Sequence, residues 1–398
     1  VEVVVIAVFI APFLVDLAAA LAVIIDSHAV AGAVPVGELE QQVADSGTRL
    51  LVTVDVPELY ATAEKVLHGS ALETLVVSSL PQMLPTLKGL AMRVLARSKI
   101  AKVAYGPSIL PWRTFLESGE RNPGELPAID PQGLALLQYT GGTTGTPKGA
   151  MLTHANLSIN AQQTAGLNPF GNPTGEVFLG ALPFFHVFAN TALLNHAVLT
   201  GASIALVPRF EAGQVLQTIA RYGATGFPGV PTMFQALLDH PDLAKTDFST
   251  LKVCISGGAP LPGPLREQFE ADTGVRLVEG YGLTEASPVC TCNPVKGVNK
   301  EGSIGIPLPG SDIQIRSLDR SDQIMPAGEK GEVCVRGPQV MPGYWQNETA
   351  TRETFVDGWL KTGDVGYADQ DGYIFLVDRL KDVILCSGYN VYPRAIEE

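Results

Sequence analysis

Leu137-Gln138-Tyr139-Thr140-Gly141-Gly142-Thr143-Thr144-Gly145-Thr146-Pro147-Lys148-Gly149 joins an apolar run to glycines and threonines that close on a lysine. Glycines let a backbone approach an anion and take positive φ. Successive N–H groups in such a loop form an anion-binding nest. Threonine hydroxyls add donors, and Lys148 adds a point charge suited to phosphate. The plainer alternative is a surface loop, which Gly/Thr/Pro clusters commonly are. The run is not a Walker A loop: Lys148 follows Pro147 and precedes Gly149, so no Lys-Ser/Thr pair opens a helix.

Further along are residues of similar character. His186 stands among phenylalanines in Pro183-Phe184-Phe185-His186-Val187-Phe188, at the end of an apolar strand. It is either a satisfied core histidine or a site residue, since sites form at strand ends in α/β sheets. Two strands run into glycine turns, Ser256-Gly257-Gly258-Ala259-Pro260 and Glu279-Gly280-Tyr281-Gly282-Leu283-Thr284-Glu285, which points to a ligand at the carboxyl edge of a sheet. Thr362-Gly363-Asp364 and Asp378-Arg379-Leu380-Lys381-Asp382 complete the set. Taken singly, Tyr281 reads equally as core, Asp364 as a turn-capping aspartate, and Thr284-Glu285 as a helix start.

The elements that would carry these residues alternate between β and α. Val3–Ile10 reads as a doubly buried parallel strand followed by a helix over Phe13–Ile25. Asp16 and Pro12 argue against a membrane span there, and a signal peptide would need a basic leading region. Leu50–Val54 and Thr74–Ser78 read as strands, with helices at Glu38–Ala44 and Pro57–Leu67. Past the loop, helices are expected at Asn156–Ala165, Ala212–Tyr222, Thr232–Leu238 and Leu265–Thr273. Strands are expected from Phe178 and over Ala202–Val207, Leu251–Ile255 and Val275–Val278. From Gly302 short strands (Ile313–Arg316, Gly331–Arg336, Tyr373–Val377) alternate with Pro/Gly turns, as in a small barrel.

The expected fold is α/β. Its large N-terminal domain has two β-α sheet subdomains, 1–200 (incomplete at its start) and 201–300, plus a small β-barrel subdomain, 301–377. A hinge follows at 378–383, and 384–398 reads as only the start of a C-terminal α+β domain. The chain reads as truncated at both ends.

Bulk properties narrow the function. With 398 residues the chain exceeds one core. A net charge of −13 disfavours an electrostatic grip on nucleic acid. Five dispersed cysteines disfavour a disulfide framework and favour a reducing compartment. Cys290-x-Cys292 has no second ligand pair nearby to complete a metal site. Between Glu73 and Glu117 the acidic residues vanish, while Lys88, Arg93, Arg97, Lys99, Lys102 and Arg113 are basic. Leu87, Leu90, Ala91, Val94, Leu95 and Ile100 supply an apolar stripe among them. Residues 84–105 therefore read as an amphipathic helix lying on an anionic membrane, or as a solvated helix packed on the domain.

In this order and spacing, the loop, Tyr281-Gly282-Leu283-Thr284-Glu285, Thr362-Gly363-Asp364 and Asp378-Arg379…Lys381-Asp382 resemble the adenylate-forming superfamily of acyl-CoA synthetases, adenylation domains and luciferases. The resemblance covers the chain from about Asp130 onward. Gln138–Thr143, Pro183–Phe188, Glu279–Tyr281 and Ser387-Gly388-Tyr389-Asn390-Val391-Tyr392-Pro393 look most like bacterial long-chain fatty acid–CoA ligases. The resemblance implies that a fatty acid attacks the α-phosphorus of ATP to give acyl-AMP, and that CoA then takes the acyl group. It implies that Thr140, Gly141, Gly142, Thr143, Thr144, Gly145 and Lys148 hold the β/γ-phosphates, Thr284 the α-phosphate, and Glu285 a Mg²⁺ ion. Gly258, Ala259, Pro260 and Tyr281 would form the adenine slot, Glu279 and Gly280 would also bind ATP or AMP, and Asp364 and Arg379 would hold the ribose. His186 would meet the acyl carboxylate, with Phe227, Gly229, Pro231, Thr232 and Phe234 along the acyl path. Lys381 would be the hinge, and Ser387, Gly388 and Tyr389 would line the CoA path. The catalytic lysine that the family carries near its carboxyl terminus has no counterpart before Glu398, so weak catalysis is expected of this chain. Transfer to a carrier protein, or nucleotide and acyl binding without catalysis, are the alternatives. A cytoplasmic enzyme, peripheral on the inner membrane face and homodimeric, would suit the first reading.

Overall fold

The computed structural model describes residues 35–84, 86–121, 124, 128–140, 147–168, 175–207, 209–382, 384–386 and 389–391. The strand and helix expected within Val3–Ile25 lie outside these residues, as do Gly141, Gly142, Thr143, Thr144, Gly145, Ser387 and Gly388.

The first unit is a small parallel sheet of β1 (Leu50–Val54), β2 (Thr74–Ser78) and β3 (Ile109–Pro111), in the order β1-β2-β3. Helices Val36–Ser46 and Pro57–Gly69 cover it. Pro57 opens the second helix, where its missing N–H costs nothing. Val43, Tyr60, Val66, Leu75 and Val77 fill the space between. A hairpin of β4 (Leu134–Thr140) and β5 (Lys148–Thr153) then brackets the glycine loop, with Thr140 opposite Lys148. Its apolar faces bury Leu137, Ala150 and Leu152.

The main sheet begins at β6 (Val177–Gly180) and continues with β7 (Ser203–Leu206), β8 (Gly226–Gly229), β9 (Val253–Ser256) and β10 (Leu277–Gly282), all parallel. Helices Ala212–Tyr222, Pro231–Leu238 and Gly263–Thr273 pack on it through Leu216, Ile219, Phe234, Leu237 and Phe269. Burying each such side chain is worth about 1.5–3 kcal/mol. The boundary expected at residue 200 is corrected here: β6 lies before it yet pairs with β7 and β8, so one sheet crosses that line.

This sheet does not end at β10. β11 (Val289–Cys292) and β12 (Ser303–Pro307) extend it with antiparallel pairing. Next come β13 (Asp312–Arg316), β14 (Gly331–Arg336), β15 (Phe355–Val356), β16 (Trp359–Ala368) and β17 (Ile374–Arg379). The order is β13-β14-β16-β17-β12-β11-β10-β9-β8-β6-β7, with β15 on β16, giving twelve strands. The barrel expected over 301–377 is therefore an antiparallel extension of the α/β sheet, and among the described residues β13 does not pair back on β12. Gly305 makes the join feasible: its φ is 91°, and any side chain there would collide with the Cys292 backbone. Two short strands, β18 (Ile384–Cys386) and β19 (Tyr389–Val391), form a separate antiparallel pair.

Helix His154–Gly166 ties hairpin to sheet. Thr153 and Asn156 form a capping box. The Asn156 amide also donates to the carbonyls of Pro338 and Val340, at 2.8 and 3.0 Å. Asn160 exchanges two hydrogen bonds with the backbone of Val289. Among the described residues, no helix is long and apolar enough to cross a membrane.

Candidate active site

A cavity of about 1190 Å³ opens where the hairpin, the carboxyl edge of the parallel strands and the β16–β17 pair meet. Tyr281 arrives on β10, while Asp364 and Arg379 sit directly opposite each other on β16 and β17. The Tyr281 hydroxyl donates to Asp364 Oδ2 at 2.6 Å, and Arg379 Nε lies 3.2 Å from Asp364 Oδ1. Burial raises the Asp364 pKa, against the pull of the Tyr281 hydrogen bond and the Arg379 charge. Burial and Asp364 push the Tyr281 phenol well up, so it remains a neutral donor. Beside them the Gly363 N–H donates to Glu332, whose carboxyl burial also raises.

Past β10 the chain turns through Thr284–Ala286 and presents Thr284 and Glu285 to the cavity. Gly282 permits that turn, because a Cβ there would press on the Pro288 carbonyl and stand 3.0 Å from Val289 Cα. The Tyr344 hydroxyl donates to Glu285 Oε1 at 2.7 Å. Lys148 Nζ stands 5.3 Å from the centre of the same ring, within cation–π range. Tyr344 thus links the loop lysine to the glutamate. Burial and Glu285 hold its phenol far above the ordinary range. Next to it Trp345 donates to the Asp45 carbonyl at 2.8 Å, and Tyr139 donates to the Asp45 carboxylate at 2.6 Å. The first α/β unit thereby reaches the cavity wall.

His186 faces the cavity at the start of a short helix, and its Nδ1 accepts from the Phe188 N–H at 3.2 Å. Crowding by protein lowers its pKa. That hydrogen bond needs an unprotonated Nδ1, which leaves Nε2–H as the donor available to a carboxylate. Beyond it the walls turn apolar, with Leu167, Phe178, Phe227, Val253 and Ile255. His196 also lines this end, its ring edge-on to Phe178 at 4.7 Å, and burial lowers its pKa too.

Among the described residues, most of those picked out by their motifs converge here: Thr140, Lys148, His186, Phe227, Gly258, Gly280, Tyr281, Thr284, Glu285, Asp364, Arg379 and Lys381 all line the cavity. Others do not. Ala259 and Pro260 are exposed outside the lining. Glu279 is buried behind it and accepts from the Leu261 N–H at 3.2 Å. Phe234 is core, its ring tilted against Phe227 and edge-on to Phe269, and Gly229 packs on Phe234 rather than on the cavity. Pro231 and Thr232 are also outside the lining. Of Tyr389 the structure describes only the backbone, in β19.

Tyr344, Trp345, Asp45 and His196 were not visible as site residues in the sequence. Gly343-Tyr344-Trp345 stands in the sequence as an aromatic pair inside a Pro/Gly turn, which the core packing of Tyr344 explains as well as a site role does. Cys290 and Cys292 are both buried, with thiols pushed up by burial, to about 12 for Cys292.

Among the described residues no group of three His, Cys, Asp or Glu side chains is poised to hold a metal. Glu285 stands with one oxygen on Tyr344. A single carboxylate fits Mg²⁺ that arrives on phosphate oxygens and keeps its waters.

A family profile described as AMP-binding enzyme matches residues 8–345. The chain is 40% identical over 363 residues to a protein named long-chain-fatty-acid–CoA ligase from Bacillus subtilis (strain 168), covering 91% of this chain and 64% of the relative. It is 40% identical over 283 residues to a feruloyl-CoA synthase from an Amycolatopsis species, covering 71% and 56%. Among solved structures it is similar to ATP-bound MatB from Rhodopseudomonas palustris, with TM-score 0.74, 29% identity and coverage of 92% and 66%. An anthranilate CoA ligase, AuaEII, in complex with anthranoyl-AMP superposes with TM-score 0.76 at 27% identity, covering 92% and 65%. The chain spans about 64% of the length of the long-chain ligases it matches.

Proposed function

Since this chain belongs to the AMP-binding enzyme family, we propose that its cavity activates a fatty acid with ATP and that CoA accepts the acyl group. The observation that carries the reading is one cavity lined by two chemistries: the charged and polar Lys148, Thr284, Glu285, Asp364 and Arg379, and the apolar Phe178, Phe227, Val253 and Ile255. In the first step a carboxylate oxygen bonds to the α-phosphorus, and the bond to the bridging oxygen breaks. Pyrophosphate leaves with that electron pair. In the second, the CoA thiolate bonds to the acyl carbon and AMP departs.

The chain's own residues supply positioning and charge. Asp364 accepts from the ribose hydroxyls, held in place by Tyr281 and Arg379. The Tyr281 ring offers its face to adenine. Lys148 meets the terminal phosphates, and Thr284 the α-phosphate. Such fixed donors act where charge develops as pyrophosphate leaves. His186 donates from Nε2 to the acid. Glu285 would hold Mg²⁺, which when bound neutralises phosphate charge. For the loop residues Gly141–Gly145, for the CoA path at Ser387–Tyr389 and for the hinge role of Lys381, support comes from the resemblance alone.

Acid-dependent ATP–pyrophosphate exchange with fatty acids of graded length and with a hydroxycinnamic acid tests the reading. Exchange driven by long-chain acids supports it. Exchange driven by the aromatic acid alone would move the substrate class, and none with any acid would remove the ligase assignment.

A further inference from the structure

Helix Thr86–Leu95 is joined to the fold by its glycine side and turns its leucines outward. Gly89 is buried, and any side chain there would strike the Pro81 carbonyl of the short helix Leu80–Met83. Met92 and Ala96 lie on the same side and are half-buried. At about 100° per residue, Leu87, Leu90, Ala91, Val94 and Leu95 share an arc about 140° wide, centred opposite Gly89. Their exposure confirms the orientation: Leu87 is 82% exposed, Leu90 60%, Val94 65% and Leu95 85%. A helix packed on its own domain turns such an arc inward. This one turns it to solvent, the mark of an interaction surface.

The charges select the partner. Lys88 and Arg93 fall on either side of the arc, both exposed. There their aliphatic stems can lie along an apolar boundary while their heads reach an anionic layer. Arg97, Lys99 and Lys102 continue the positive field through the next turn and are exposed as well. No acidic side chain occurs between Glu73 and Glu117, although the chain carries a net charge of −13. A protein so acidic is repelled by an anionic surface in most orientations. This span is one that such a surface attracts. We propose that helix Thr86–Leu95 docks on an anionic lipid surface, with Leu87, Leu90, Val94 and Leu95 in the headgroup–acyl boundary and the basic residues on phosphate. The inference does not depend on the reaction assigned to the cavity.

The test is sedimentation of the full chain with vesicles of phosphatidylcholine containing phosphatidylglycerol, against vesicles of phosphatidylcholine alone. The wild type should pellet with the anionic vesicles and be released by salt. Changing Arg93→Gln, Arg97→Gln and Lys99→Gln together should lower the partition coefficient about 100-fold at low salt. Leu87→Ser with Leu95→Ser should abolish pelleting with the basic residues intact. All of these positions are exposed, and an unchanged melting temperature checks that the fold survives. Equal binding to neutral and anionic vesicles, or to neither, would overturn the proposal. So would a concentration-dependent dimer that Leu87→Ser dissolves, since the arc would then belong to a second copy.

Discussion

Tyr344→Phe removes one atom from the site and leaves its packing intact. The hydroxyl donates to Glu285 Oε1 at 2.7 Å. The ring itself is nearly buried in a core cluster with Ala150, Leu152 and Leu360, and it lies beneath Lys148. Phenylalanine keeps the ring, the cluster and the cation–π contact. A hydrogen bond to a charged group contributes about 1.5–3 kcal/mol. Glu285 is only half-buried, so the low end applies, and about 1.4 kcal/mol is a factor of ten. If Tyr344 orients Glu285 for Mg²⁺, the half-saturating Mg²⁺ concentration in acid-driven ATP–pyrophosphate exchange should rise about tenfold. The melting temperature should move by no more than about 4 °C. Tyr344→Leu should cost several-fold more, because Lys148 then loses the ring. An unchanged Mg²⁺ dependence in Tyr344→Phe would show that Glu285 needs no such support. A loss accompanied by a large fall in melting temperature would make the residue structural only.

Asp364→Asn should weaken ATP binding by calorimetry about 10- to 150-fold, the range for a charge-assisted hydrogen bond; retention of wild-type affinity would move the ribose elsewhere. Gly226→Ala would place a Cβ 2.7 Å from the Phe178 ring, well inside contact distance, so the ring must shift within the apolar end. Competition between acids should then favour shorter chains, by about fourfold per methylene lost, and an unchanged length preference would take Phe178 out of the acyl wall. Desolvation lowers the pKa of both His186 and His196, so below about pH 6.5 the unfolded chain binds the protons that the native state refuses. Their contribution to stability is complete above that pH and is lost as pH falls through the folded values. Imidazole NMR midpoints below 6.5 are expected, and a midpoint at or above it for His196 would contradict its burial. Asp364 acts with the opposite sign: its raised pKa keeps the native state protonated above about pH 4, so its contribution falls as pH rises through the folded value.

The site was legible where a residue type has little other reason to stand at a strand end. Tyr281 and Glu285 come from the end of β10 and the turn after it, Asp364 and Arg379 from the paired strands β16 and β17 well along the chain, yet each stands in a recognisable local pattern, and all line one cavity. Tyr344 was not legible, because its role arises only when the turn after β14 folds against β5 and the turn after β10, a contact across 59 residues. Phe227 and Phe234 show a second limit. Both are aromatic and fully buried, but one borders the cavity and the other the core. Phe227 lies on β8, which is buried on both faces, so alternation carries no information about which side it takes, while Phe234 lies on helix Pro231–Leu238, whose inner face is core. The same loss of alternation hid β11, whose four residues are all buried. With β11 unseen, the continuity from parallel sheet to antiparallel extension was unseen too. For helix Thr86–Leu95 the sequence supplied the apolar stripe and the charges, but only the docking of Gly89 on Pro81 shows that the stripe faces away from the protein.

The central claim is that one cavity holds an adenylate and an acyl chain together. Calorimetric binding of a non-hydrolysable long-chain acyl sulfamoyl-adenosine tests it most directly, because binding requires no turnover. Joining two ligands that occupy adjacent halves should give affinity at least about 100-fold above that of AMP, and Asp364→Asn and Gly226→Ala should each reduce it. Affinity no greater than that of AMP, or affinity indifferent to both substitutions, would contradict the claim.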